Sequence, residues 1–331
     1  MRRHHSYGYV ATARGAVLSI GVALGLLVDG GGTISAPSEV TVPGDRVFPE
    51  SITATSDGTL IIGSLGEGGI YRAAPGASTA DLWIKPGTAG TMSVLGVLAD
   101  ERSGTLWVCS SDLSSAGVVV PGGQTPVALK SFDLKSGAPK GSVALPGERT
   151  LCNDIAIGPD GAAYVTDSFN PHVLRLKPGA SAFEIWATDN RFTVKDGAGL
   201  DGIAFGGDGN LYVNLYNGNA LFRIDVNRDG SAGKVTRMQP SQPIALCDGM
   251  RKLGGNTLLM VEGTGKLDRV SVDGDRAKID VLKSGYKTPV SVVQVGNVAW
   301  VLEGQLTDLF GPNKGKPAPF RAYAVPLNGA E

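Results

Sequence analysis

The sequence predicts an all-β protein, a six-bladed β-propeller with four-stranded antiparallel blades. Three observations predict it. A short apolar strand opening on Gly or Asn recurs six times at a nearly even interval. A second strand-like run precedes most copies, and two more follow. Helical periodicity is almost absent beyond the first 36 residues. A unit of four meandering strands in about 45 residues has the length and content of a propeller blade, whereas a solenoid built from such units would be unusual.

The recurring strands are "GTLIIGS" from 58, "GTLWVCS" from 104, "GAAYVTD" from 161, "GNLYVNL" from 209, "NTLLMVE" from 256 and "NVAWVLE" from 297, at intervals of 46, 57, 48, 47 and 41 residues. In blade one "SITATSDG" leads, and "GIYRAA" and "ADLWIKPG" follow. Blade two reads "LGVLADERSG", then "KSFDLKSG" and "GSVALPG" after its recurring strand. Blade three opens on "NDIAIGPDG" and continues to "HVLRLKPG" and "FEIWATD". Blade four opens on "DGIAFGGDG" and continues to "ALFRIDV" and "KVTRMQP". Blade five opens on "DGMRKLGG", with a later turn at "VDGDRAKID". Blade six has "PVSVVQV", "NVAWVLE" and "FRAYAVPL" and is one strand short; "SEVTVPG" near residue 40 is expected to fill that edge and tie the two ends of the chain together. Asp-Gly pairs at 57–58, 160–161 and 208–209 suit tight hairpins, because both residues accept positive φ cheaply.

Composition bounds the function. Glycine is abundant at 48 of 331 residues, only 18% of residues are charged, and the net charge is −1 with no Lys/Arg cluster in the body. That pattern fits many turns and argues against nucleic acid or an anionic membrane as partner. The first 36 residues differ: Arg2, Arg3 and Arg14 accompany a 14-residue apolar run, "GAVLSIGVALGLLV", and small residues follow. This is the layout of an export signal, and the run is short against the ~20 residues of a membrane span. We therefore expect a signal peptide at 1–36, cleaved near Ala36, and a propeller domain at 37–331, exported to the periplasm or secreted, with an uncleaved anchor as the alternative. The mature form is then not membrane-bound. Of three cysteines, Cys109, Cys152 and Cys247, none has a CxxC partner. A disulfide needs Cα atoms within about 7 Å, which the non-adjacent blades of Cys152 and Cys247 would rarely allow, and Cys109 falls elsewhere, on a second strand of blade two, so we expect free thiols near the channel mouth.

The first strand of each propeller blade lines the central channel, and its leading end sits at one mouth. The residues at that position are Glu50, Leu95-Gly96, Asn153, Asp201, Asp248 and Ser291. Polar groups at the lip of buried strands are costly unless something binds them. Glu50, Asn153 and Asp201 offer only oxygen donors. They suit a hard divalent cation, most readily Ca²⁺, with Mn²⁺, Mg²⁺ or Zn²⁺ as alternatives. No Cys/His cluster favours zinc.

These residues also carry a resemblance. The mature chain resembles the SMP-30/gluconolactonase/luciferin-regenerating family of six-bladed propellers. The matching segments are "FPES" with Glu50, "CNDIAIGPDG" with Asn153, and "LDGIAFGGDGNLYVNLYNG" with Asp201. The resemblance implies a metal-dependent hydrolase of lactones or related esters. It implies that Glu50, Asn153 and Asp201 hold the metal and that Asp201 is the general base. A carboxylate touching a dication is a weaker base, so Asp201 either takes the proton of water or mainly holds the metal and orients water. Blade equivalence adds Asp248, in "CDGM", as a direct or neighbouring ligand. One departure bears on the substrate. Sugar-lactone members carry polar residues on the second-blade strand, where this chain reads "MSVLGVLADE" with Leu95. A more apolar lactone, ester or phosphoester is expected in place of a sugar lactone.

Rival motifs are weak. No G-x-S-x-G elbow occurs, and His172, the one histidine beyond the leader, is expected at the start of an outer strand. "DVNRDG", Asp225 to Gly230, opens like a calcium loop but has Thr236 at the twelfth position, so a hairpin turn is expected. Trp107 and Trp300 fall inside second strands and are expected to pack between blades. The alternative function is a non-catalytic exported propeller that binds a partner or polymer and keeps a structural metal; chemistry of the strictosidine-synthase type on the same scaffold is a third reading.

Overall fold

A computed structural model describes residues 37–121, 125–311 and 316–327. The expected signal peptide lies outside the described residues. Six separate sheets of antiparallel strands succeed one another along the chain. Blade one comprises Pro49–Ala54, Leu60–Ser64, Ile70–Ala73 and Asp81–Ile84. Blade two comprises Ser93–Asp100, Thr105–Ser111, Ala128–Asp133 and Pro139–Ala144. Blade three comprises Cys152–Ile157, Ala163–Asp167, His172–Leu176 and Glu184–Thr188, and blade four Leu200–Phe205, Leu211–Leu215, Ala220–Val226 and Ala232–Arg237. Blade five runs through Cys247–Gly254, Thr257–Glu262, Lys266–Asp273 and Arg276–Ser284, with Gln239–Pro240 added in parallel at its outer edge. Blade six takes Pro289–Val295, Val298–Glu303 and Phe320–Pro326, and its fourth strand is Glu39–Val42 from the other end of the chain, paired antiparallel with Phe320–Pro326. The expected ring closure is therefore present.

The core lies between neighbouring blades, because each strand alternates its side chains between two sheet faces. Between blades three and four, Tyr164 meets Trp186 and Phe205 edge to face at 5.0 and 5.1 Å. The Asp225–Gly230 segment is a turn between outer strands, as expected, and it has a structural task. Gly230 O accepts from Arg175 Nη1 at 2.6 Å and from Trp186 Nε1 at 2.8 Å, which ties blade four to blade three. Trp107 and Trp300 pack against core clusters. No described helix is long and apolar enough to cross a membrane.

The thiol expectation is corrected. Cys109, on the second strand of blade two, and Cys152, on the first strand of blade three, form a disulfide with a Cα separation of 5.1 Å. The two blades are adjacent, so the second strand of one lies against the first strand of the next. Cys247 alone stays free, and it is buried.

Candidate functional site

Every inner strand breaks register with its second strand at the same level. The shifts fall between Pro49 and Ser51, Val94 and Val97, Cys152 and Ile155, Leu200 and Ile203, Cys247 and Met250, and Pro289 and Ser291. Such irregularities re-aim side chains that a regular strand would direct into the sheet packing. The residues inside them are Glu50, Leu95-Gly96, Asn153-Asp154, Asp201-Gly202, Asp248-Gly249 and Val290. Sequence reasoning placed Ser291 in blade six. The pairing puts Ser291 opposite Leu302, so Val290 occupies the equivalent position.

Glycines follow from the same geometry. A Cβ on Gly96 would lie 2.3 Å from Asn153 O, one on Gly202 2.5 Å from Asp248 O, and one on Gly249 2.8 Å from Val290 O. Each glycine lets the next blade bring its irregular segment close. Buried second-strand side chains then fix those segments. Ser111 Oγ donates to Cys152 O at 3.1 Å, Thr166 Oγ1 to Asp201 O at 2.7 Å, and Asn214 Nδ2 to Asp248 O at 2.7 Å.

Glu50, Asn153, Asp201 and Asp248 line one cavity of about 490 Å³. All four are nearly buried, between 4 and 7% exposed. Asn153 Nδ2 donates to Ser168 Oγ at 2.8 Å and to Asp201 Oδ2 at 3.1 Å. Ser168 spends its own proton on Leu200 O at 2.6 Å, which fixes the amide orientation and leaves Asn153 Oδ1 unbonded. Asp248 accepts from Gly249 N at 2.9 Å, and its carboxyl lies in the electrostatic field of the Asp201 carboxyl. The Glu50 carboxyl has no hydrogen bond or ion pair among the described residues.

The electrostatics follow from burial and like charge. Burial first, then the Asp154 charge, pushes the Asp201 carboxyl up to about 8, although its bond to Asn153 opposes the shift. Burial and the charges of Asp201 and Asp154 hold Glu50 well above the carboxylate range. Asp248 is raised likewise by burial, Asp201 and Glu50. Burial and then these three carboxylates also raise the phenol of Tyr216, which lines the same cavity.

Sequence reasoning missed the neighbouring charge pair. Arg251 reaches from blade five to blade three, where Nη1 and Nη2 bind Asp154 Oδ2 and Oδ1 at 2.6 and 2.9 Å. Asp154 Oδ2 also faces Ile203 N of blade four at 3.4 Å. No local pattern in either inner strand marks the two as partners, since Asn153 adjoins Asp154 and both Asp248 and Lys252 share a strand with Arg251. Arg251 is the cation in the field of Glu50 and Asp201, and it is already bidentate on Asp154. Among the described residues the acids at the mouth are thus left without a cation of their own to offset their charge when ionised.

A hard cation fits this donor set in chemistry: carboxylate oxygens, an unbonded amide oxygen and uncompensated charge. Among the described residues, no three His, Cys, Asp or Glu side chains are arranged to hold an ion as they stand. A cation would therefore have to be met by some movement of these side chains. His172 lies away from the cavity, with Nδ1 3.0 Å from Thr188 Oγ1 in the outer half of blade three.

Around the acids the cavity is apolar. Leu65, Leu95, Leu113 and Leu151 come from blades one to three and their loops, and Leu306 and Phe310 come from a short helix, Leu306–Phe310, in the blade-six loop. Leu95 occupies the second-blade position at which a polar grip on a sugar was absent from the sequence.

No protein-family model matches the chain, and no curated protein matches it. Solved structures do. The gluconolactonase of Xanthomonas campestris superposes with a TM-score of 0.59 at 17% identity, covering 87% of this chain and 89% of that one. The allergen Mala s 1 of Malassezia sympodialis gives 0.65 at 16% identity, over 87% and 96% of the two chains. The PQQ-bound aldose sugar dehydrogenase of Streptomyces coelicolor gives 0.59 at 12% identity, over 88% and 99%. At these identities the likeness shows the propeller fold.

Proposed function

We propose that the chain is a metal-dependent hydrolase of an apolar lactone or ester. One observation carries this reading: Glu50, Asp201, Asp248 and the unbonded amide oxygen of Asn153 line one leucine-walled cavity, and among the described residues the cation in their field, Arg251, is already paired with Asp154. Glu50, Asn153, Asp201 and Asp248 are the residues that would hold a divalent cation, Ca²⁺ before Mn²⁺, Mg²⁺ or Zn²⁺. When bound, such an ion polarises a carbonyl oxygen and acidifies water.

The chain's own groups supply the rest. Asn153 holds Asp201 in place through Nδ2. Asp201 Oδ1 and Oδ2 are the oxygens that accept the proton of the attacking water. The leucine wall excludes bulk water from the ester carbonyl, which strengthens each electrostatic contact there. The Asp154–Arg251 pair neutralises the acid next to Asn153 without drawing on the acids at the mouth. The Cys109–Cys152 bridge supports export, because disulfides persist in oxidising compartments.

The test is hydrolysis of aryl esters and γ-lactones by protein purified without added metal, with elemental analysis alongside. We expect about one divalent ion per chain and turnover that a chelator abolishes and re-added ion restores. Turnover indifferent to chelator, or none on any ester or lactone with the ion bound, contradicts the proposal.

A further inference from the structure

The cavity is two-sided. Its wall over blades one to three is Leu65, Leu95, Leu113 and Leu151, whereas its wall over blades four to six includes Tyr216, Asn217 and Thr288. The Leu306–Phe310 helix roofs the apolar side. It belongs to blade six, yet Leu306 and Leu309 pack against the cluster that holds Leu65, Leu95 and Leu151. Its anchorage is polar and lies at its start. Gln305 Nε2 donates to Ala318 O and Gln305 Oε1 accepts from Ala318 N, both at 3.0 Å, and Lys287 Nζ meets Asp308 Oδ2 at 2.6 Å. Phe310 stands at the rim, 43% exposed.

We propose that the site takes an ester or lactone bearing a linear aliphatic chain, laid along the blade-one-to-three wall beneath this helix with its carbonyl at the acids. The substrate class rests on the hydrolase reading, and the slot for the chain rests on the wall alone. The four leucines offer neither a hydrogen bond for a sugar hydroxyl nor an aromatic face for a ring to stack on. They offer branched alkyl surface within one packed cluster, which a flexible chain can follow. The opposite orientation would press the chain on Asn217 and Tyr216 and strip those groups of water without replacing it. The exposed Phe310 leaves the slot open at its outer end, so a longer tail can run out past it.

The test is a series of p-nitrophenyl esters from acetate to decanoate, on protein loaded with its divalent ion. KM is expected to fall about fourfold per added methylene until the slot is filled, while kcat stays nearly level. Leu113→Asn and Phe310→Ser, at partly exposed and exposed positions, are expected to shrink the acetate-to-octanoate KM ratio at least tenfold. A benzoate ester bound better than hexanoate, or a KM flat along the series, overturns the inference and leaves the hydrolase standing. If no ester is turned over, the hydrolase reading fails and binding of neutral alcohols decides the slot. Calorimetry with metal-stripped protein is then expected to show octanol bound far more tightly than butanol, and equal or absent binding of both overturns the inference.

Discussion

Asp201→Asn is expected to lower kcat on the best ester substrate by about 10²- to 10⁴-fold. The residue sits where the site's contacts meet. Asn153 bonds one of its oxygens, and Thr166 fixes its backbone. Asn keeps the shape of the side chain and removes the charge and the proton-accepting oxygen. Two roles are separable in this variant. If Asp201 only holds the cation, a large excess of ion restores much of the rate; if it takes the proton, saturation with ion restores little. The fold is expected to survive, because Asn fills the same space and its amide oxygen can still accept from Asn153 Nδ2. Turnover within twofold of the unaltered protein would refute the role.

The second large effect is on stability. Arg251→Met is expected to destabilise the propeller by about 3–5 kcal/mol, because it leaves the Asp154 carboxylate buried without its partner. Both side chains are nearly inaccessible, and the pair spans blades five and three. Denaturant unfolding measures the loss. The double variant Asp154→Asn, Arg251→Met is expected to recover most of it, since no bare charge then remains, and the difference isolates the pair. A loss below about 1 kcal/mol in the single variant would show that the pair carries little of the structure.

Much of the fold was legible because propeller blades repeat. The six "GTLIIGS"-like strands reported the second strand of each blade, and the missing strand of blade six pointed to "SEVTVPG". The gathering of Glu50, Asn153, Asp201 and Asp248 was legible for the same reason: equivalent positions in a ring share an axis. What escaped the sequence depended on contacts between different blades. Asp154 and Arg251 are 97 residues apart, and nothing local marks them as partners. Cys109 and Cys152 hold different positions in their own blades, and only the packing of a second strand on the next first strand brings them together. The register shift that makes Val290, not Ser291, the counterpart of Glu50 is invisible to alignment of short strings. The roof over the cavity is a five-residue helix in a long loop, too short to announce itself by periodicity.

The measurement that bears most directly on the central claim is a calorimetric titration of metal-stripped protein with Ca²⁺, below and above pH 8. The Asp201 carboxyl is pushed up to about 8, so below that pH it holds a proton that a cation must displace. The account predicts one site per chain that binds more tightly as pH rises through about 8, releases protons on the acid side, and weakens at least tenfold in Glu50→Gln. No binding at any pH, or binding that neither changes with pH nor responds to Glu50→Gln, would contradict it.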